Sequence, residues 1–270
     1  MKQFALSVAF VLAAAPLAVR ADDLDDALAA VKAAEPSKDI AKIKQAAAAA
    51  HEAAKKWETA TAPSDADKEN YEARARYAKE VDTYSEYSLY ALAIQSDSKT
   101  AADLATTIEQ QNPKSKYLEM PDLLVLQADN ALNRKQTDRA LSYANRIIAD
   151  AGRKAPEGVT EADWERAKNA GLGRGYWTAG VILAEQQKFA VADKDLRAAL
   201  PLIKGDNRLM GPALFYLGVA NYNLSNMTNS KAKMLEAAKF SEQSAQIQGP
   251  YQDQANRNAN AMKDQANKMR

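Results

Sequence analysis

An all-α chain is what the composition and the patterning of this sequence predict. Alanine, leucine, lysine, glutamate and glutamine are abundant, while glycine and proline are confined to 10 and 9 of its 270 positions, a composition that favours helices. Apolar residues recur at spacings of three and four at 24–34, 40–57, 71–94, 101–108, 123–132, 140–148, 164–183, 189–203, 209–224 and 232–247, the periodicity of amphipathic helices. No stretch reads as a convincing strand.

The chain opens MKQFALSVAFVLAAAPLAVRADD, with Lys2 ahead of an apolar run from Phe4 to Val19 and small residues at Val19 and Ala21. These features make residues 1–21 a secretory signal peptide, with cleavage expected after Ala21. A membrane anchor needs roughly 18 to 20 apolar residues, and Pro16 and Arg20 interrupt this run. The expected destination is the bacterial periplasm or the outside of the cell. With no cysteine in the sequence, no thiol can carry a lipid after cleavage, and the mature chain is expected to be soluble, with no stable membrane insertion.

Loss of Lys2 and Arg20 leaves the mature chain close to neutral. It has neither the basic footprint of a nucleic-acid binder nor the polybasic cluster that holds proteins at anionic membranes. Without disulfides, an exported chain must be held by its core.

Helix boundaries follow from the breaks. Ser37 after Pro36, Ser64 with Asp67 three residues on, Ser98 before an alanine-rich run, and Thr160 with Asp163 three residues on are each expected to accept an orphan backbone N–H. Pro113, Pro156, Pro201 and Pro250 mark stops, restarts or first-turn positions. The longest polar connection, GRKAPEGVT at 152–160, reads as an inserted loop rather than a domain linker.

A train of helices calls for a search for repeats. Counting from Tyr176, small and large residues fall in a fixed order: Ala179 and Gly180, Leu183, then Phe189, Ala192, Leu196, Ala199 and Pro201. This order resembles the tetratricopeptide repeat, with Gly180 and Ala192 where two helices cross closely. Looser copies contain Leu214, Leu217, Gly218, Asn221 and Ala237, with a lengthened loop NLSNMTNSKAK; Leu124, Ala128, Ala131, Ala140, Ala144 and Ile147; and Leu89, Ala101, Ala105, Ile108 and Pro113. Their key alanines, Ala101, Ala140, Ala192 and Ala237, are 39, 52 and 45 residues apart.

The resemblance implies a right-handed superhelix of antiparallel helix hairpins, an α-solenoid. It divides the mature chain into N-terminal flanking helices at 22–76, repeats at 77–248 and a C-terminal capping helix at 249–270. It also implies a non-catalytic protein-interaction scaffold that binds a partner peptide or helix in a concave groove. Carried over by register, the groove positions are Tyr90, Asp129, Asn133, Arg174, Trp177, Phe215 and Tyr222. Val125 and Asp129 stand where chaperone-binding members carry Lys and Asn of a carboxylate clamp, so capture of a partner's C-terminal carboxylate is not implied. Self-association through the terminal helices is a further expectation.

The chemical motifs are weak. Gly171, Gly173 and Gly175 follow a helical stretch, and Tyr176 stands where a dinucleotide fingerprint needs its third glycine; the glycines are read as permitting close packing or a kink. His51 is the only histidine, and Lys55 occupies the position of the second zincin ligand, so His51 is read as a surface residue. The acidic run DDLDD at 22–26 lacks the glycine and distal glutamate of a calcium loop. No catalytic residue, metal or cofactor is expected. Tyr77, Tyr84 and Tyr87 share a helix face, read as core, from which Tyr90 is shifted. The alternative function is an exported small-ligand carrier or enzyme with a pocket of carboxylates and tyrosines.

Overall fold

The structure, a computed structural model, describes residues 23–156 and 159–269, and the leader expected at 1–21 lies outside the described residues. Every regular element in the described residues is helical: α1 (Asp23–Ala34), α2 (Ile40–Glu58), α3 (Lys68–Ala93), α4 (Ser98–Gln111), α5 (Pro121–Asn133), α6 (Thr137–Ala149), α7 (Glu161–Glu185), α8 (Phe189–Leu202), α9 (Asn207–Thr228), α10 (Lys231–Ala245) and α11 (Gln252–Lys268). Short 3₁₀ turns sit at Glu35–Ser37, Asp65–Asp67, Lys116–Glu119 and Asp150–Gly152. Each periodic apolar stretch is carried by one helix, with Ile94, Ile203 and Ile247 just past a helix end, and the C-terminal segment adds α11.

The chain divides into two compact units, one reaching Gln127 and including Pro156 and Val159, the other comprising Ala128–Ala155 and the chain from Thr160. In the first, α2 packs on α1 and α3, α3 packs on α4, and α1 also touches α3. Its core joins Leu24, Leu28 and Val31 of α1 to Ala50 and Ala54 of α2 and to Ala78 and Val81 of α3. In the second, each helix from α6 to α11 packs on the next, and α9 also touches α7 and α11.

Helix starts depart from the expectation in detail. Asp39, not Ser37, accepts the N–H groups of Ala41 and Lys42 at the start of α2, and Asp97, not Ser98, accepts those of Lys99 and Thr100 at the start of α4. Aspartate serves as well as serine as an acceptor and adds a favourable charge against the helix dipole. Ser64 donates to the Asp67 carboxylate, 2.6 Å away, and leaves the backbone uncapped.

Counting from these caps exposes a common register. The fourth, eighth and eleventh residues after Asp97, Gln136 and Lys188 are Ala101, Ala105 and Ile108; Ala140, Ala144 and Ile147; and Ala192, Leu196 and Ala199, all buried. In α10 the same count from Ser230 gives Met234, Ala238 and Ser241, also buried. Counted from the helix crossing, Ala237 keeps its place: it lies four residues before Ser241, which faces Gly218, as Ala192 lies four before Leu196, which faces Gly180, and the α10 cap stands three residues further from its crossing than the α8 cap does. The count from Asp39 in α2 gives Ile43, Ala47 and Ala50, again buried, so this register extends into the segment read as flanking.

The three-residue offset of the α10 cap has a local cause. The expected loop at 223–233 is nearly all helix, broken only at Asn229 and Ser230. Asn229 turns left-handed with φ 48°, the Ser230 N–H donates to the Ser225 carbonyl at 3.1 Å, and the Ser230 hydroxyl accepts from the N–H of Lys233. The α5–α6 and α7–α8 turns are built alike: Gln136 N–H donates to Ala131 O and Lys188 N–H to Leu183 O, both at 2.8 Å, with Lys135 and Gln187 at φ 58° and 62°. This is the Schellman arrangement, which normally places glycine at the left-handed position.

A side chain in that conformation costs roughly 1–2 kcal/mol, partly offset by the extra unfolded-state entropy of glycine. Lys135→Gly and Gln187→Gly are therefore each expected to stabilise the protein by about 0.5–1 kcal/mol. The measurement is the urea midpoint of the second unit; a lower midpoint in both variants contradicts the cap assignment.

The glycines of α7 lie within a continuous helix and serve close packing. A Cβ on Gly173 would stand 3.0 Å from Leu202 Cβ, and one on Gly175 would stand 3.0 Å from Ile147 Cγ2.

Candidate functional site

In the second unit, Asp129, Arg174 and Trp177 come together. The crowding at Gly173 and Gly175 seats α7 against α8 and α6 on either side of Arg174. Arg174 donates to Asp129 Oδ1, and its guanidinium lies 5.0 Å from the Trp177 ring. The Trp177 indole N–H donates to the Leu209 carbonyl at 2.9 Å, tying α7 to the first turn of α9. Asp206 caps α9; the Arg208 guanidinium that binds it, helped by the charge of Arg174, holds its carboxyl below the usual range. Arg174 is thus a half-buried cation already paired with a carboxylate.

The other expected groove positions lie elsewhere. Phe215 stacks on Tyr251 with ring centres 4.6 Å apart, and Tyr222 packs against the α10–α11 core of Met234, Ala237, Ala238, Met262 and Ala266. Asn133 is exposed at the end of α5. Tyr90 is a correction: it is fully buried, stacks on Tyr117 at 5.1 Å and donates to Asp122 Oδ2 at 2.7 Å. Its shift from the tyrosine stripe carries it further into the first unit rather than out to a groove.

That stripe is only half-buried, with Tyr77 and Tyr84 packed against the edge of the core, and it is a ladder of polar ties. Tyr77 donates to Asp25 and Tyr84 to Glu35. Burial and these carboxylates push both phenols up to about 12, so they remain donors. Glu86, one turn from Tyr90, is buried on the same helix and accepts from Ser115 Oγ and, at 2.8 Å, from Asn112 Nδ2. Burial raises the Glu86 carboxyl above the usual carboxylate range against the opposing pull of those two donors. The Tyr117 hydroxyl is buried and has no hydrogen-bond partner among the described residues.

His51 is a second correction. It is buried, with Nδ1 3.0 Å from Asp82 Oδ1, because α2 packs on α3 along the face that carries both. Among the described residues, no three His, Cys, Asp or Glu side chains converge as a metal site would require. In the acidic run, Asp25 accepts from Tyr77 and faces Arg74 at 3.7 Å, and Asp23 lies 3.5 Å from Lys56.

Two clusters escaped the sequence reading. One is the Glu86–Asn112–Ser115 clamp. The other groups Phe215, Tyr216 and Tyr251 beside Glu185, with the Tyr216 hydroxyl donating to Glu185 Oε1 at 2.7 Å. The adjacent aromatics of LFYLG were the only hint of it. No protein-family model matches the chain, and neither does any curated protein or solved structure.

Proposed function

We propose that this protein is a non-catalytic interaction scaffold, exported to the bacterial periplasm, whose helix hairpins stack as a right-handed tetratricopeptide-like superhelix. The first helices of the hairpins would present a concave surface to a partner peptide or helix. The observation that carries the reading is the shared register of α2, α4, α6, α8 and α10, with the same buried positions counted from each cap. Packing of each helix on the next from α1 to α4 and from α6 to α11, and of α1 on α3, α2 on α4, α7 on α9 and α9 on α11, is the other support, since stacked hairpins bury a continuous core in that way. The outward side of α11, with Gln254, Arg257, Asn260, Lys263 and Asp264 exposed or partly so, suits a cap and disfavours stacking of copies through that end.

The alternative, a carrier or enzyme using carboxylates and tyrosines, would draw on the first unit. There the carboxylates of Glu35, Glu86 and Asp122 accept from neighbouring hydroxyls and amides, which favours a structural role.

The test is affinity capture from periplasmic extract with the mature chain and with Arg174→Ala, each checked by circular dichroism. A protein retained by the wild type and lost with the folded variant is the expected result. Equal retention by both removes Arg174 from the binding surface, and recovery of the chain alone counts against the scaffold.

A further inference from the structure

Aromatic rings gather in three groups among the described residues. Trp57 and Tyr71 form the first, and Arg74 lies 5.6 Å from the Trp57 ring. Tyr84, Tyr87, Tyr90 and Tyr117 form the second, with Lys32 and Lys116 5.5 and 5.4 Å from the rings of Tyr84 and Tyr117. The third, Phe215, Tyr216 and Tyr251, has ring centres 4.6 to 5.7 Å apart and no basic side chain over any ring. Among the described residues, two groups have a cation of the protein's own and the third has none.

That third group also adjoins a carboxylate. Glu185 is exposed at the end of α7; Oε1 accepts from Tyr216, while among the described residues Oε2 has neither a hydrogen bond nor an ion pair. Lys188, three residues on, donates to Gln186 at 2.9 Å instead. Asp253, two residues after Tyr251 in the first turn of α11, adds negative charge nearby in the chain. Half-buried ring faces beside a carboxylate with an open oxygen form a site complementary to a cation that has a flat face. A guanidinium fits best, because it stacks on aromatic rings and directs its N–H groups at a carboxylate in one plane. The Tyr216 hydroxyl fixes the carboxylate beforehand, and burial with the Glu185 contact keeps that phenol protonated, so little ordering remains to be done on binding.

We infer that Glu185, Phe215, Tyr216 and Tyr251 bind an arginine side chain of a protein partner. The inference rests on the scaffold reading and names the chemistry recognised at this part of the surface, where Phe215 was already an expected contact.

The probe is N-acetyl-arginine amide, titrated into the mature chain while the ring resonances of Phe215, Tyr216 and Tyr251 are followed by NMR. The uncharged citrulline analogue and the Glu185→Gln variant serve as controls. A saturable, salt-sensitive shift of these rings is expected with arginine, absent with citrulline and weakened about tenfold by Glu185→Gln, a loss of roughly 1.4 kcal/mol. Equal shifts with arginine and citrulline, or equal arginine binding by the variant, overturn the inference. Because the titration needs no partner, a negative result beside successful capture removes this site alone, whereas failed capture beside a positive titration counts against the scaffold.

Discussion

Leu196→Ala is expected to destabilise the second unit by about 2–5 kcal/mol, the usual cost of truncating a fully buried leucine. Leu196 is 0% exposed and packs with Ala199, Ile203, Ala213 and Leu217. Its particular importance comes from the facing glycine: a Cβ on Gly180 would stand 2.6 Å from Leu196 Cγ, 2.9 Å from Cδ2 and 3.1 Å from the Leu196 backbone N. Gly180→Ala alone is therefore expected to cost about 1–3 kcal/mol by overpacking, despite alanine's helix preference of about 1 kcal/mol over glycine. Once Leu196 is alanine, the two side-chain collisions vanish and only the backbone contact remains. In that background Gly180→Ala should be close to neutral. Urea unfolding of the four proteins, read through Trp164 and Trp177 in the same unit, gives the coupling directly. Additive losses would show that the α7–α8 crossing is not set by this pair.

The same crossing shows what could be read in advance. Gly180, Ala192, Leu196 and Ala199 lie at helical spacings within twenty residues, so the chain itself carries their proximity. Local hydrogen-bond geometry was less visible. The run NLSNMTNSKAK has the composition of a loop, yet Asn229 can adopt the left-handed conformation and a single such residue ends α9. Reading it as a loop hid the cap at Ser230, which stands three residues further from its helix crossing than the α8 cap does. Register also misplaced Tyr90, because the count along α3 does not reveal that Asp122 and Tyr117 cover that face. The two unforeseen clusters depend on contacts across distant sequence. Ser115 is 29 residues from Glu86, and Tyr216 is 31 from Glu185. No periodicity within one helix encodes such meetings; they arise when separate helices pack.

For Glu86, the charge state and the hydrogen bonds make opposing demands, and two substitutions separate them. Glu86→Ala removes the acceptor of the buried Ser115 hydroxyl and of the Asn112 amide, at about 1–3 kcal/mol for each donor left buried and unpaired. Glu86→Gln keeps an acceptor oxygen and removes the charge. Burial is the largest influence on the Glu86 carboxyl and raises it above its ordinary value of 4.5, with Asp82 adding to the rise and His51 opposing it. A carboxyl raised on folding contributes stability that is complete below its unfolded pKa and is lost as pH rises through the folded pKa. From pH 4.5 upward, ionised Glu86 should increasingly burden the wild type, while the glutamine variant carries no such burden. Amide exchange in α3, which reports local opening, should therefore show Glu86→Gln gaining on the wild type as pH rises toward neutrality. Asp122 is raised by burial as well and stays in both proteins, so the difference between their profiles isolates Glu86. A difference that does not change with pH would mean that Glu86 titrates alike in the folded and opened states, its two donors cancelling the cost of its burial. A variant that loses ground as pH rises would mean that Ser115 and Asn112 stabilise the carboxylate more than burial penalises it.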